Sequence, residues 1–148
     1  MKLLDPKLKY DASTSVFSHC AHFMQFIKHL VIQLAIAFEN LHEQGIMYKD
    51  LKATHVFLDK NMRLTLIDFG QAEQLSDGST TVAAGTLHAM SPEMLVLFTK
   101  TVTGQQDKID YSKECVTLAH DMYTVGVLIL ELIDPSLIKY FRSDHDTQ

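Results

Sequence analysis

Residues 117–133 constrain the fold most, because their apolar side chains leave almost no polar face. A helix that is apolar all round is stable only in the middle of a hydrophobic core. Pro135 follows and predicts the end of that helix. We therefore expect a buried central helix against which the rest of the chain packs.

A second long helix is predicted from about His22 to Leu41, where apolar residues recur at steps of three and four. Gly45 suits the left-handed position that follows a helix. Residues 56–58 and 64–67 are short apolar runs separated by a polar turn, which predicts an antiparallel hairpin. Residues 71–93 predict an irregular segment that opens with a short strand, followed by one or two helical turns at 94–98 and a polar insertion at 99–113.

Composition limits the class of partner. The chain of 148 residues has 18 acidic and 13 basic side chains, a net charge of −5, which argues against bulk binding to nucleic acid or anionic lipid. We expect no membrane association, because no apolar run approaches the length of roughly 20 residues that is needed to span a bilayer. The N-terminus lacks the apolar stretch of a signal peptide, so Cys20 and Cys115 are expected to be free thiols in an intracellular, cytoplasmic protein.

Candidate catalytic and metal-binding residues lie on both sides of the predicted hairpin in the sequence. Asp50 and Lys52 lie two residues apart in the loop before it, so both can face one cleft. Asp68 directly follows the second strand, where a buried carboxylate needs a partner or a metal ion. Gly70 allows the backbone to turn sharply behind it. Two carboxylates and a lysine suit phosphoryl transfer, in which one carboxylate orients a hydroxyl and another holds Mg²⁺.

The order and spacing of these motifs resemble the catalytic and metal-binding loops of eukaryotic serine/threonine protein kinases. Residues 34–42 resemble the end of the helix that precedes the catalytic loop, and residues 121–126 resemble the start of the central helix. Tyr48 before the loop is familiar in the cyclic-nucleotide-dependent (AGC) group. The resemblance covers roughly residues 20–134. It implies a mainly α fold with a small β hairpin, namely an incomplete C-terminal (large) lobe of the kinase fold.

The resemblance also implies a role for each matching position. Asp50 would accept the proton of the substrate hydroxyl, and Lys52 would contact the transferring phosphate of Mg-ATP. Asp68 would hold Mg²⁺. Thr86 would hydrogen-bond to Asp50 and Lys52. The activation segment would include Phe69, Gly70, Thr86, Pro92 and Glu93.

Asp121 would support the catalytic loop in the same family pattern. Its carboxylate is expected to accept the backbone N–H groups of Tyr48 and Lys49, which would fix the loop on the central helix.

Two positions depart from the family pattern. His55 stands where the family has an asparagine as second metal ligand, and imidazole suits softer transition metals better than Mg²⁺. His55 is therefore expected to be a weak ligand. Lys49 replaces an arginine that receives an activation-loop phosphate, and it offers only a point charge. Ser79, Thr80 and Thr81 are plausible phosphorylation sites, with weakened coupling, or simply exposed hydroxyls.

Other family parts are absent from the sequence. We find no glycine-rich loop and no lysine-bearing strand before the lobe. Glu93 is expected to be a buried carboxylate without its family partner, and the central helix is expected to be exposed on one side. The domain expectation is a flexible lead-in at 1–20, a partial kinase domain at 21–134 and a polar tail at 135–148.

These departures predict a serine/threonine kinase-like chain that is catalytically impaired by itself. Three alternatives stay open: a piece of a working kinase, a pseudokinase scaffold, and a structural subunit of a larger assembly. The expected partner is a protein, either a substrate or a chain that covers the exposed central helix.

Overall fold

A computed structural model describes residues 2–3, 16–110, 114–134 and 136, with side chains from Ala21 onward. These described residues form three α-helices, three single-turn 3-10 helices and seven short strands. The helices are α1 (Val16–Glu43), α2 (Pro92–Val102) and α3 (Ala119–Ile133). The strands are β1 (Lys2–Leu3), β2 (Ile46–Met47), β3 (Val56–Leu58), β4 (Leu64–Leu66), β5 (Glu73–Gln74), β6 (Ser79–Thr80) and β7 (Val116–Thr117). The strands pair antiparallel as β1-β3-β4, β2-β5 and β6-β7. This helix-rich fold with a small hairpin agrees with the predicted class.

The main core lies between α1, α3 and the β3-β4 hairpin. Leu34 and Phe38 of α1 are fully buried, and Val125 and Leu128 of α3 pack in the same cluster. Leu34 and Phe38 share one face of α1, as its periodicity predicts, whereas the apolar run of α3 does not by itself mark which face is buried. Gly45 follows α1 with a φ of 69°, the left-handed conformation expected there.

Helix α1 begins earlier in the chain than the sequence predicts. The helix begins at Val16 rather than near His22, and β1 pairs with β3 within the segment expected to be a lead-in. The polar sequence there does not reveal that the edge of β3 offers backbone hydrogen-bond partners to β1.

The part of α1 from Ala21 to Glu43 is long and apolar enough to cross a membrane, judged by length and composition alone. The core helix of a soluble protein meets the same two criteria.

The central helix α3 is buried on one side only. His120, Asp121 and Thr124 are buried together with the apolar residues of its inner face. The outer face exposes Met122, Tyr123, Leu130 and Ile133, each by 39–48%. The expectation of a central helix that is uncovered on one side matches this arrangement.

A second core lies around α2. Met94 and Leu97 pack there with Met47, Val116 and Ile109. The helix spans three turns instead of the one or two predicted at 94–98, because Ser91 caps its N-terminus and the first residues of the predicted insertion continue it. Ile109 is buried, so the predicted 99–113 insertion is not wholly exposed.

Glu93 is exposed, so the expectation of a buried, unpartnered carboxylate is wrong. It lies in the first turn of α2, directly after Pro92. A carboxylate at this end of a helix is stabilised by the unsatisfied N–H groups and the helix dipole.

Candidate functional site

Asp50 is the centre of a hydrogen-bonded group on the loop between β2 and β3. Thr86 Oγ1 donates to Asp50 Oδ1 at 2.6 Å, and Lys52 Nζ donates to Asp50 Oδ2 at 2.9 Å. Lys52 Nζ also lies 3.4 Å from Thr86 Oγ1. Burial raises the pKa of Asp50, but the hydrogen bonds from Thr86 and Lys52 outweigh it and keep that pKa below its ordinary value. The carboxylate is therefore ionised, with a hydroxyl and an ammonium group directed at it.

Asp121 fixes the preceding residues of this loop. Its side chain is fully buried and accepts the backbone N–H of Tyr48 on Oδ2 and that of Lys49 on Oδ1, both at 2.8 Å. His42 Nε2 lies 2.9 Å from Oδ2 and ties the end of α1 to the same carboxylate. These are the two backbone bonds that the sequence analysis expects, together with a third partner that it does not.

A buried histidine holds the loop from its other side. His120 Nδ1 lies 2.9 Å from Ser91 Oγ, and Nε2 lies 3.2 Å from the carbonyl oxygen of Lys49. Because a carbonyl oxygen only accepts, Nε2 carries the proton. Burial lowers the pKa of His120, which keeps the ring neutral at pH 7.

Gly85 lies against the same carbonyl group. Its φ is 111°, and a Cβ atom added there would stand 2.6 Å from the oxygen of Lys49. Only glycine fits this approach without strain. This close packing of Gly85 lets the next residue, Thr86, reach the carboxylate of Asp50.

His55 lies between the two carboxylates of the site. Its Nδ1 is 2.9 Å from the backbone oxygen of Asp50, so Nδ1 carries a proton. Its Nε2 then faces Oδ2 of Asp68 at 3.4 Å. Asp68 has a φ of 61° and an exposed side chain, and its Oδ1 accepts the N–H of Gly70 at 3.2 Å.

The chemistry of these donors tests whether Mg²⁺ fits here. Asp68 offers an oxygen of the kind that Mg²⁺ prefers, whereas His55 offers a nitrogen. Across residues 21–110, 114–134 and 136, no group of three histidine, cysteine or acidic side chains could hold a metal ion. The fit to Mg²⁺ is thus through Asp68, and His55 does not match it.

Aromatic contacts support the backbone at Asp68. The Tyr48 hydroxyl donates to the carbonyl oxygen of Ile67, and its ring packs edge-on against Phe69 with centroids 5.1 Å apart. Burial and the nearby carboxylates raise the pKa of Tyr48, so the phenol stays protonated. Phe38 also packs edge-on against Tyr48, with centroids 5.9 Å apart.

Glu73 is a contributor that the sequence analysis missed. Its Oε2 contacts Lys49 Nζ and accepts a hydrogen bond from Thr80 Oγ1 at 2.6 Å. Lys49 Nζ donates also to the carbonyl oxygen of Val82 at 3.2 Å. His42 and His120 were missed likewise. No local signal marks these residues, because their partners lie 7 to 79 positions away.

The sequence-predicted residues are therefore placed in two groups. Asp50, Lys52 and Thr86 meet directly, and His55 joins Asp50 to Asp68. Pro92 and Glu93 do not reach this group; they begin α2 on the surface. In such a group the ionised carboxylate can accept a proton from an alcohol, and the lysine can contact a phosphate.

Comparisons with known proteins point to one family. A family model described as protein kinase domain matches residues 9–148. The serine/threonine-protein kinase SCH9 of Candida albicans is 34% identical over 107 residues, which are 71% of this chain and 12% of that protein. The cAMP-dependent protein kinase catalytic subunit of Dictyostelium discoideum is 30% identical over 129 residues, 84% of this chain and 17% of that protein.

A human relative is matched over almost the whole chain. Ribosomal protein S6 kinase alpha-4 of Homo sapiens is 26% identical over 149 residues, 95% of this chain and 17% of that protein. The chain thus spans 12% to 17% of the length of these three relatives.

Proposed function

Because this chain belongs to the protein kinase domain family, with AGC-type serine/threonine kinases among its relatives, we propose that its loop serves phosphoryl transfer from ATP to serine or threonine hydroxyls. We further propose that His55 impairs this transfer. The observation that carries the proposal is the direct contact of Asp50 with Thr86 and Lys52.

Asp50 would orient the acceptor hydroxyl and take its proton. The carboxylate is ionised and partly screened from water, which suits a group that must hold a hydroxyl in one orientation. Thr86 engages Oδ1 of this carboxylate and Lys52 engages Oδ2, so a substrate hydroxyl would bind beside or in place of the Lys52 contact. Lys52 is partly exposed and would neutralise charge on the transferring phosphate.

Asp68 is the residue that would hold Mg²⁺. Its side chain is exposed, and its Oδ1 accepts the N–H of Gly70 whereas its Oδ2 faces His55. When bound, Mg-ATP supplies the phosphoryl group and neutralises its charge. His55 stands 3.4 Å from the same oxygen and supplies no oxygen ligand in return, which is the physical basis for impairment.

A non-catalytic scaffold is the second candidate. The close approach of His55 to Asp68 favours it, since it fills the position of a metal ligand with a group unsuited to Mg²⁺. The exposed apolar residues on the outer face of α3 support a protein partner for such a scaffold or subunit. An intracellular location agrees with Cys115, which is a free thiol.

Magnesium-dependent nucleotide binding tests the enzymatic proposal. The melting temperature of the full chain is measured with ATP, with and without MgCl₂, for the wild type, Asp68→Asn and Asp107→Asn. Asp107→Asn removes the same charge from an exposed side chain in a short 3-10 helix and serves as the control. We expect a small magnesium-dependent rise in melting temperature for the wild type and the control, and none for Asp68→Asn.

Asp50→Asn separates binding from chemistry. It should bind Mg-ATP like the wild type, because Asp50 is not placed to hold the metal, and should transfer no radiolabelled phosphate to serine or threonine peptides. Equal magnesium-dependent stabilisation of the wild type and Asp68→Asn would contradict the assignment of Asp68. If magnesium raised the melting temperature of neither the wild type nor the control, that result would favour the scaffold.

A further inference from the structure

Lys49 brings an almost fully buried positive charge into the middle of the molecule. Its side chain is 2% exposed, and its ammonium group contacts the carboxylate of Glu73 and the carbonyl oxygen of Val82. Thr80, itself 3% exposed, donates its hydroxyl to the same oxygen of Glu73. We call Lys49, Glu73, Thr80 and Val82 the Glu73 cluster.

The Glu73 cluster balances its own charge. A buried ammonium group is tolerated only when an opposite charge and hydrogen-bond acceptors surround it, and Glu73 and Val82 supply both. The Thr80 hydroxyl also accepts the N–H of Val82 at 3.0 Å. Hydrogen bonds from Lys49 and Thr80 outweigh the effect of burial and lower the pKa of Glu73, so the carboxylate is ionised near neutral pH.

Phosphorylation of Thr80 would disturb this balance of charge. A phosphoryl group there would lie beside the carboxylate of Glu73, and like charges at this distance repel. The hydroxyl is also buried and already donates one hydrogen bond. Of the three hydroxyls that the sequence suggests as phosphorylation sites, Thr80 therefore has a structural use instead.

The Glu73 cluster lies at one end of a segment that reaches the candidate active site. Residues 79–80 pair with β7 just before α3, and the cluster ties residues 80–82 to Lys49. Gly85 then packs on the carbonyl group of Lys49, and Thr86 contacts Asp50. Lys49 thus meets this segment at two points, at Val82 through its ammonium group and at Gly85 through its carbonyl group.

We propose that Glu73 is a positioning residue that orders residues 79–86 on the catalytic loop, so that Thr86 reaches Asp50 without phosphorylation of the segment. Its relevance to catalysis rests on the proposed function. The ordering itself is a property of the chain without nucleotide or metal.

Hydrogen–deuterium exchange read by mass spectrometry tests this ordering. The full chain is made without phosphate, as verified by its mass, and exchange is followed in wild type, Glu73→Gln and Glu114→Gln. Glu114 is a stringent control, because it also pairs with a lysine, Lys100, and lies close to β7 without touching the catalytic loop. We expect protected amides at 79–86 in wild type, exchange about tenfold faster there in Glu73→Gln, and wild-type exchange in Glu114→Gln.

Two further variants keep the test informative if Glu73→Gln folds poorly. Glu73→Asp retains the charge and should recover most of the protection. Thr80→Val preserves the ion pair and the side-chain shape, and should speed exchange at 79–86 by a smaller factor while α1 and α3 keep their protection.

The ordering proposal is overturned by rapid exchange at 79–86 in the unphosphorylated wild type, or by an equal effect of Glu73→Gln and Glu114→Gln. Faster exchange spread evenly over α1 and α3 would likewise show a merely structural role. These outcomes are independent of Mg-ATP binding, so the proposed function and the positioning role can fail separately.

Discussion

Replacing Asp121 by asparagine should destabilise the catalytic loop more than any other single-atom change at this site. The carboxylate is fully buried and accepts the backbone N–H groups of Tyr48 and Lys49 and the ring N–H of His42. Asparagine has the same shape but turns one acceptor oxygen into a donor. An N–H group of the loop would then face another N–H group with no solvent nearby.

The magnitude follows from two contributions. A buried donor without a partner costs about 1–3 kcal/mol, and a hydrogen bond to a charged group contributes about 1.5–3 kcal/mol. We expect a loss of about 3–5 kcal/mol in the free energy of unfolding, the range found when one partner of a buried ionic contact is removed.

Urea unfolding followed by circular dichroism measures this loss. Asp107→Asn is the control, because its exposed side chain should change the free energy by less than about 0.5 kcal/mol. A loss below about 1 kcal/mol for Asp121→Asn, with an unchanged urea dependence, would refute the view that this carboxylate holds the loop on α3.

Three further changes probe the same region. Gly85→Ala should destabilise by about 1–3 kcal/mol in the same unfolding assay, because its Cβ meets the Lys49 carbonyl at an unfavourable φ; wild-type stability would contradict the close approach. His120 has a lowered pKa in the folded state, so stability should fall as pH drops below its ordinary value of 6.5. Melting temperatures from pH 7.5 to 5 should show this fall and a flatter dependence in His120→Asn; parallel curves would count against a neutral ring. Tyr48→Phe should remove about 1 kcal/mol, the net contribution of the hydrogen bond to Ile67, by thermal unfolding.

Periodicity and turn chemistry predict the scaffold of the fold well. The apolar spacing in α1, the continuous apolar run of α3 and the position of Gly45 are local features that predict the helices and the turn. The start of α1 and the strand β1 were harder to predict, because they depend on backbone edges that other parts of the chain provide.

The motif residues are predicted from their spacing in the sequence, but the residues that hold them in position are not. Asp50, Lys52 and Asp68 stand close in sequence, so the loop and hairpin bring them together. Glu73 and His120 contact Lys49 across 24 and 71 positions, and only the folded chain shows these pairs. The expected burial of Glu93 failed for the same reason, since exposure depends on how α2 begins.

Calorimetric titration of the full chain with Mg-ATP, for wild type and His55→Asn, tests the central claim most directly. The claim is that His55 weakens a metal site that Asp68 otherwise supports. His55→Asn restores an oxygen ligand and should tighten binding about tenfold, roughly 1.4 kcal/mol, whereas the Asp68→Asn/His55→Asn double variant should lose the gain. Equal or weaker binding by His55→Asn would contradict the account.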